Sequence, residues 1–396
     1  MYNRDRKSRR GKRIIVFILL FIQCICYSQS FVPGASYFGR NNYIEYIAGN
    51  LPLIIAVPHG GDLTPAEIPD RSCGDETVTD SYTVSLAELI QKEITNITGC
   101  YPHIIISHLK RTKLDANREI EGAACGNEYA EIAWNEFHNF IDSAKKEVVK
   151  QSGKGLFIDL HGHGHTVQRL ELGYLLSAIQ LASSDAILNT PALINISSIR
   201  NLIGSNITNM QHSDLLRGIY SLGSMFAVKG YPSVPGIDDP FPLTGQPYFS
   251  GGYSTQRHGS VTGGTIDAIQ IECNQDVRFD ETERREFAAA SAEVFLTYMI
   301  KHYFPQLPST YCNLVDIDIP TSGDFTIYPV PFSDLLTLRG PVPVTINIYN
   351  YRGECIYSGQ ITTEEKLDLH QLESGFYLVT LSSNGEILFR QGIIKQ

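Results

Sequence analysis

The chain has 396 residues, 43% of them apolar and 19% charged, with 33 Gly and 19 Pro. That length exceeds what one hydrophobic core usually serves, so a large domain plus a smaller one is expected, and the composition excludes collagen-like, disordered and disulfide-dense chains. The formal charge is −10, and beyond residue 13 the remaining 25 Lys and Arg face 41 Asp and Glu, a balance that argues against nucleic acid as a partner.

Residues 1–13 carry seven basic side chains, Arg4, Arg6, Lys7, Arg9, Arg10, Lys12 and Arg13, against the single acid Asp5. Nine uninterrupted apolar residues follow, Ile14 to Ile22, and then small residues near Cys26 and Ser28. This pattern predicts a secretory signal peptide over residues 1–28. The apolar run is well short of the roughly 20 residues a spanning helix needs, so no stable transmembrane anchor is expected. Removing the signal leaves six cysteines: Cys73, Cys100, Cys125, Cys273, Cys312 and Cys355. Export makes disulfides possible, but spacing alone does not reveal their pairing.

Residues 31–308 alternate strand-like and helix-like stretches. Short β-branched runs at Leu53–Val57, His103–Ser107, Gly155–Leu160 and Ile266–Ile271 have the texture of buried strands. Helical spacing of apolar residues marks Ser81–Thr95, Tyr129–Val149 and Glu281–Tyr303. The alternation predicts an α/β layered domain. Prolines at 305, 308 and 320 punctuate a linker over 309–322. Residues 323–396 then form about seven short alternating segments, from Thr326–Pro331 to Ile387–Ile394, which predict a small β-sandwich.

Three strand ends in the large domain carry reactive side chains. Val57-Pro58-His59-Gly60-Gly61-Asp62 offers an imidazole and a carboxylate from one loop. Phe157-Ile158-Asp159-Leu160-His161 is a strand ending in histidine, continued by His163 and His165 across Gly162 and Gly164. His161 is nearest the rigid strand and is the expected ligand. Two histidines and one carboxylate leave a fourth zinc position open, as hydrolytic sites do. Glu272 ends the third strand, Ile269-Gln270-Ile271-Glu272, where it suits a general base. Arg111, Asn117 and Arg118 lie on a loop suited to holding a carboxylate. A Gly-rich stretch, Phe249 to Gly259, has the texture of a mobile loop, with Tyr253, Arg257 or His258 as oxyanion donors.

Two resemblances sharpen these readings. Tyr328-Pro-Val-Pro-Phe332, Ile346-Asn-Ile-Tyr-Asn-Tyr-Arg-Gly353, Leu369-His-Gln-Leu-Glu-Ser-Gly-Phe-Tyr377 and Gly392-Ile-Ile-Lys395 fall in the order seen in type IX secretion sorting domains. That resemblance implies a Gram-negative cell, passage through the periplasm, type IX machinery as a partner, and a secreted or cell-surface protein. The motifs PHGG, D-x-N-R, DLHGHG and Q-I-E-C-N occur in the order found in N-formylglutamate amidohydrolase-like proteins, relatives of zinc carboxypeptidases. This second resemblance implies a three-layer α/β/α sandwich with a mixed sheet and one zinc ion. It also implies cleavage of an amide beside a free carboxylate in an N-acyl amino acid, a peptide or a γ-glutamyl substrate. Carried onto this chain, it makes His59, Asp62 and His161 zinc ligands and Glu272 the base, with Asn117 and Arg118 on the carboxylate. Asp62 stands where carboxypeptidases have Glu, which leaves Glu67 as a second possibility for that ligand. Two other readings stay open: a serine or cysteine hydrolase using Ser250 or Cys125, and a non-catalytic binding or adhesion protein on a hydrolase scaffold.

Overall fold

The computed structural model describes residues 31–74, 76–305, 325–340, 343–350, 354–362, 365–383 and 386–396. The expected signal peptide at 1–28 and linker at 309–322 lie outside these residues. The large domain opens with β1 (Ser36–Phe38), β2 (Ile44–Ile47), β3 (Leu53–Val57), α1 (Thr83–Thr98) and β4 (His103–Ser107). It continues through α2 (Ile120–Ala124), α3 (Glu128–Ser152), β5 (Gly155–Gly162), β6 (Leu170–Gly173), β7 (Ser233–Val234) and β8 (Ile266–Cys273). Short helices fill 178–228, and the long helix Glu281–His302 closes the domain.

The eight strands form one mixed sheet in the order β1-β2-β4-β3-β5-β8-β6-β7. Its centre, β4, β3, β5 and β8, is parallel, and β2 and β6 flank it antiparallel. Buried on both faces, the central strands read as continuous apolar runs, as parallel strands do. Leu53, Ile55 and Val57 share one core with Leu86, Ile90 and Ile94 of α1 and with Phe295 and Met299 of the last helix. Residues of opposite parity, among them Phe157 and Ile54, face the other side, where α3 packs against β2, β3, β4 and β5. The sheet with helices on both faces is the expected α/β fold.

Helix ends are locally encoded. Asn127 caps α3 by accepting from the Ala130 N–H at 3.0 Å, and Gly153 at φ 73° ends it. Asp280 caps the last helix by accepting from the Thr282 and Glu283 N–H groups at 2.8 and 3.1 Å.

Among the described residues of 325–396, seven strands form two antiparallel sheets, β13-β10-β9 and β12-β11-β14-β15. They are β9 (Thr326–Tyr328), β10 (Leu335–Arg339), β11 (Val344–Tyr349), β12 (Cys355–Ile361), β13 (Glu365–Asp368), β14 (Gly375–Ser383) and β15 (Glu386–Lys395). Ile346, Ile348, Val379, Leu381 and Leu336 share their buried core. Among the described residues, no helix is long and apolar enough to cross a membrane.

Candidate metal-binding site at the carboxyl edge of the sheet

The parallel strands all end on one edge, where crevices form in open α/β sheets. His59 follows β3 by two residues, His161 lies within β5, and Glu272 is the penultimate residue of β8. His161 and Glu272 are register partners, so both side chains leave the same face of the sheet.

The carboxylate that joins the two histidines is Asp80. Its Oδ2 lies 3.4 Å from His59 Nδ1 and 3.1 Å from His161 Nδ1. These three residues are buried and their ligand atoms lie within 4.8 Å of one another. Asp80 reaches the site because its N–H donates to the His59 carbonyl at 3.0 Å, and the chain then turns sharply at Tyr82, φ 68°, into α1. A positive φ at an aromatic residue is strained and needs a surrounding structure that holds it.

Asp62 does not take part. Gly61 packs so tightly that a Cβ there would sit 2.2 Å from the His108 carbonyl carbon, which fixes the chain course. Leu63 then donates to the His108 carbonyl at 2.9 Å, and the intervening Asp62 is exposed. Glu67, the second expected carboxylate, is also exposed and accepts from Tyr43 Oη and Asn41 Nδ2. Gly61 ties the loop to the residue after β4 rather than to the cluster, so the expected His59–Asp62 pairing does not form.

A second ring of groups holds the histidines. His59 Nε2 lies 2.6 Å from Asp115 Oδ1, a carboxylate with no exposed surface. His161 Nε2 lies 3.0 Å from Asp159 Oδ1 and 3.1 Å from Asn117 Nδ2. Carboxylates on the far nitrogen orient metal-binding imidazoles and raise their basicity. The donor set fits a divalent ion on a further observation. His59 Nδ1 is buried without a hydrogen-bond partner among the described residues. A cation taken by the two Nδ1 atoms and Asp80 would satisfy it.

The electrostatics agree. Burial opposes ionisation of Asp80, yet the two imidazoles beside it hold its carboxyl well below the usual range. Burial likewise works against the His161 cation, but Asp159 and Asp80 lift its pKa well above the ordinary value. Burial pushes the Glu272 carboxyl up to about 8, with His161 pulling the other way. Gln270 Nε2 donates to Glu272 Oε1 at 2.9 Å and fixes its direction.

The arginines gather around Asp115. Arg118 Nε and Arg111 Nε donate to Asp115 Oδ2 at 2.9 and 3.1 Å, and Arg71 Nη1 lies 3.6 Å from it. Arg111 also approaches Asp80 at 3.7 Å, so it ties the two carboxylates together. The Arg118 side chain is 40% exposed and its terminal nitrogens have no partner among the described residues. It is the guanidinium turned outward. Asn117, expected on a substrate carboxylate, instead spends its amide internally. Its Nδ2 faces His161, and its Oδ1 accepts from the Ser254 N–H at 2.7 Å.

His258 is not at the site. It ends the helix Tyr253–His258 and is fully buried, 2.9 Å from His138 Nδ1 and 3.4 Å from Asp142 Oδ1. Burial draws its pKa down to about 4, and it packs against Phe157 on the α3 side of the sheet. Within the stretch expected to be a mobile loop, Phe249 to Gly259, residues 253–258 form this short helix, and Gly252 lets its start press against Asn117. Cys125 is in a disulfide with Cys73, so no nucleophilic thiol stands there.

A second cluster, His163, His165 and Glu171, also has closely spaced ligand atoms. His163 is already satisfied at both nitrogens, by the Arg169 carbonyl at 2.9 Å and the His165 N–H at 3.0 Å. Its role is structural. Sequence reading missed Asp80, Arg71 and Glu171, and left Asp115 without a role. The acid immediately before a helical pattern (Asp80) was the only local signal.

Comparisons with known proteins add the following. Residues 326–395 match the family model of the secretion system C-terminal sorting domain. No curated protein matches this chain. An N-formylglutamate amidohydrolase from Ralstonia eutropha JMP134 aligns with 63% of this chain and 95% of its own, at 14% identity and a TM-score of 0.38. A gene product of Agrobacterium tumefaciens aligns with 63% of this chain and 90% of its own, at 13% identity and a TM-score of 0.37. The chain is thus an α/β protein carrying a secretion sorting domain, which addresses it to the cell surface or beyond.

Proposed function

We propose that this protein is an exported, metal-dependent amidohydrolase acting on an amide bond beside a free carboxylate, in an N-acyl amino acid, a peptide or a γ-glutamyl compound. The observation that carries the proposal is the convergence of His59 Nδ1, His161 Nδ1 and Asp80 Oδ2 next to the buried Glu272. His59, Asp80 and His161 would hold one ion, zinc suiting two imidazoles and a carboxylate. Such an ion supplies Lewis acidity and lowers the pKa of water.

The chain's own groups account for the rest. Glu272 stands one strand from His161, where it can take a proton from water and return it to the leaving amine. Arg118 presents free guanidinium nitrogens to a substrate carboxylate. Asp115 keeps Arg118, Arg111 and His59 in fixed relation, so anchoring and chemistry share one scaffold. Export through type IX machinery, across the periplasm of a Gram-negative cell, fits an extracellular substrate. Domain limits at 31–308 and 323–396 suit this division of labour.

The test is amine release from a panel of N-acyl glutamates and dipeptides by purified, zinc-supplemented protein. Wild type is expected to turn over at least one class, and Glu272→Gln to keep its metal while losing about 10²–10⁴-fold in rate. Binding without turnover across the panel would support the non-catalytic scaffold instead.

A further inference from the structure

We infer that Phe249, seated on His165, forms the acyl-side subsite of this site and selects substrates whose acyl group carries a planar ring. The inference rests on the hydrolase reading above for the direction in which substrate lies.

The groups along the carboxyl edge stand in strand order. The arginines of the loop after β4 come first, then His59 after β3, His161 on β5 and Glu272 on β8. The next strand is β6, and its Glu171 is the register partner of Glu272. Glu171 therefore projects on the same face as Glu272 and His161, two strand spacings or about 10 Å from β5. It lies on the side away from the arginines.

Glu171 is fully buried, and its two oxygens fix two rings. Oε1 lies 2.8 Å from His165 Nδ1, and Oε2 accepts from the Phe249 N–H at 2.8 Å. The rings of His165 and Phe249 stack with centroids 4.7 Å apart and planes at 13°. Phe249 is nevertheless 43% exposed. Scattered exposed aromatics are ordinary, but this one is pinned through its backbone to a buried carboxylate and backed by an imidazole. It is a rigid, partly exposed apolar face. Such faces lose little conformational entropy when they bind a ring.

The substrate has two ends. With its amino-acid carboxylate on Arg118 and the amide beside His59 and His161, the acyl group points toward β6. A formyl group ends at its carbonyl carbon and leaves Phe249 uncovered. An aroyl or aromatic aminoacyl group carries a ring toward it, and ring pairs gain about 0.5–1.5 kcal/mol beyond area burial.

The experiment compares N-formyl-, N-acetyl- and N-benzoylglutamate on the zinc-loaded protein, in wild type, Phe249→Ala and Phe249→Leu. Calorimetric titration with benzoate, the acyl product, gives a readout independent of turnover. Wild type should favour benzoyl over formyl by about tenfold or more in kcat/KM. Phe249→Ala should lose about tenfold for benzoyl and for benzoate affinity while formyl stays within about twofold, with Phe249→Leu between. Turnover with benzoyl and formyl affected equally, or not at all, overturns the subsite and leaves the hydrolase reading standing. No turnover with benzoate still weakened in Phe249→Ala keeps the subsite and refutes the hydrolase reading. Neither turnover nor any effect on benzoate refutes both.

Discussion

Asp80 Oδ2 lies 3.1 Å from His161 Nδ1 although 81 residues separate them in sequence. The contact ties the segment before α1 to the end of β5, and through the same oxygen to His59 after β3. Three separate strand ends and loops thus deliver one small cluster of donor atoms.

Asp115 governs that cluster from behind. Its Oδ1 sits 2.6 Å from His59 Nε2, and Oδ2 takes two guanidinium N–H donors. Asp115→Asn is expected to weaken zinc affinity about 10–100-fold, as loss of an outer carboxylate commonly does. It should also destabilise the fold by about 3 kcal/mol, because buried guanidinium groups lose their counter-charge. Competition with a chromophoric chelator and urea denaturation measure the two effects. Unchanged affinity would contradict the role assigned to Asp115.

Arg118 and Arg111 should separate in kinetics. Arg118→Ala removes outward-facing donors and is expected to raise KM about 10–100-fold with kcat within about threefold. Arg111→Ala removes a group lying between Asp80 and Asp115, so it should also weaken metal retention. Equal, small effects of both on KM would contradict the assignment of Arg118 as the substrate anchor.

The His138–His258 pair predicts an acid-side loss of stability. Burial holds both imidazoles neutral, drawing His138 down to about 2 and His258 down to about 4 from the ordinary 6.5. Since their folded values are depressed, the unfolded chain takes up protons first as pH falls. Their contribution is full above about pH 6.5 and is lost as pH falls toward 4. Urea titrations between pH 7 and 4 should show this decline, and His258→Gln should make it shallower. An identical slope in the variant would contradict it.

The Cys73–Cys125 disulfide spans 52 residues and closes the segment that carries Asp80, Arg111, Asp115, Asn117 and Arg118. Replacing both cysteines by serine is expected to cost about 2–4 kcal/mol of stability. Dithiothreitol should destabilise wild type by at least as much. A double variant as stable as wild type would contradict this.

The sheet was largely legible in the sequence. The strands Leu53–Val57 and His103–Ser107 match their expected bounds, and those beginning at Gly155 and Ile266 each run two residues further. Their apolar runs are imposed by burial on both faces, which leaves a plain mark in composition. All seven segments of the tail became strands, since alternation and turns are local. The site was legible only where a reactive residue belonged to a strand, as His161 and Glu272 do, or followed one closely, as His59 does. Asp80 ends an irregular stretch after β3, whose course is set by the Asp80 N–H to His59 carbonyl bond, and no spacing encodes that. Asn117 and His258 had suitable chemistry, but tertiary packing turned both inward. β6 is only four residues long and carries Glu171, too short for periodicity to mark.

Zinc content, measured by mass spectrometry on untagged wild type, Asp80→Asn and Asp62→Asn, decides whether Asp80 and the two histidines hold one ion. Near one equivalent of zinc is expected in wild type and in Asp62→Asn, and little in Asp80→Asn. Zinc retained by Asp80→Asn but lost from Asp62→Asn, or absent from wild type after supplementation, would contradict this.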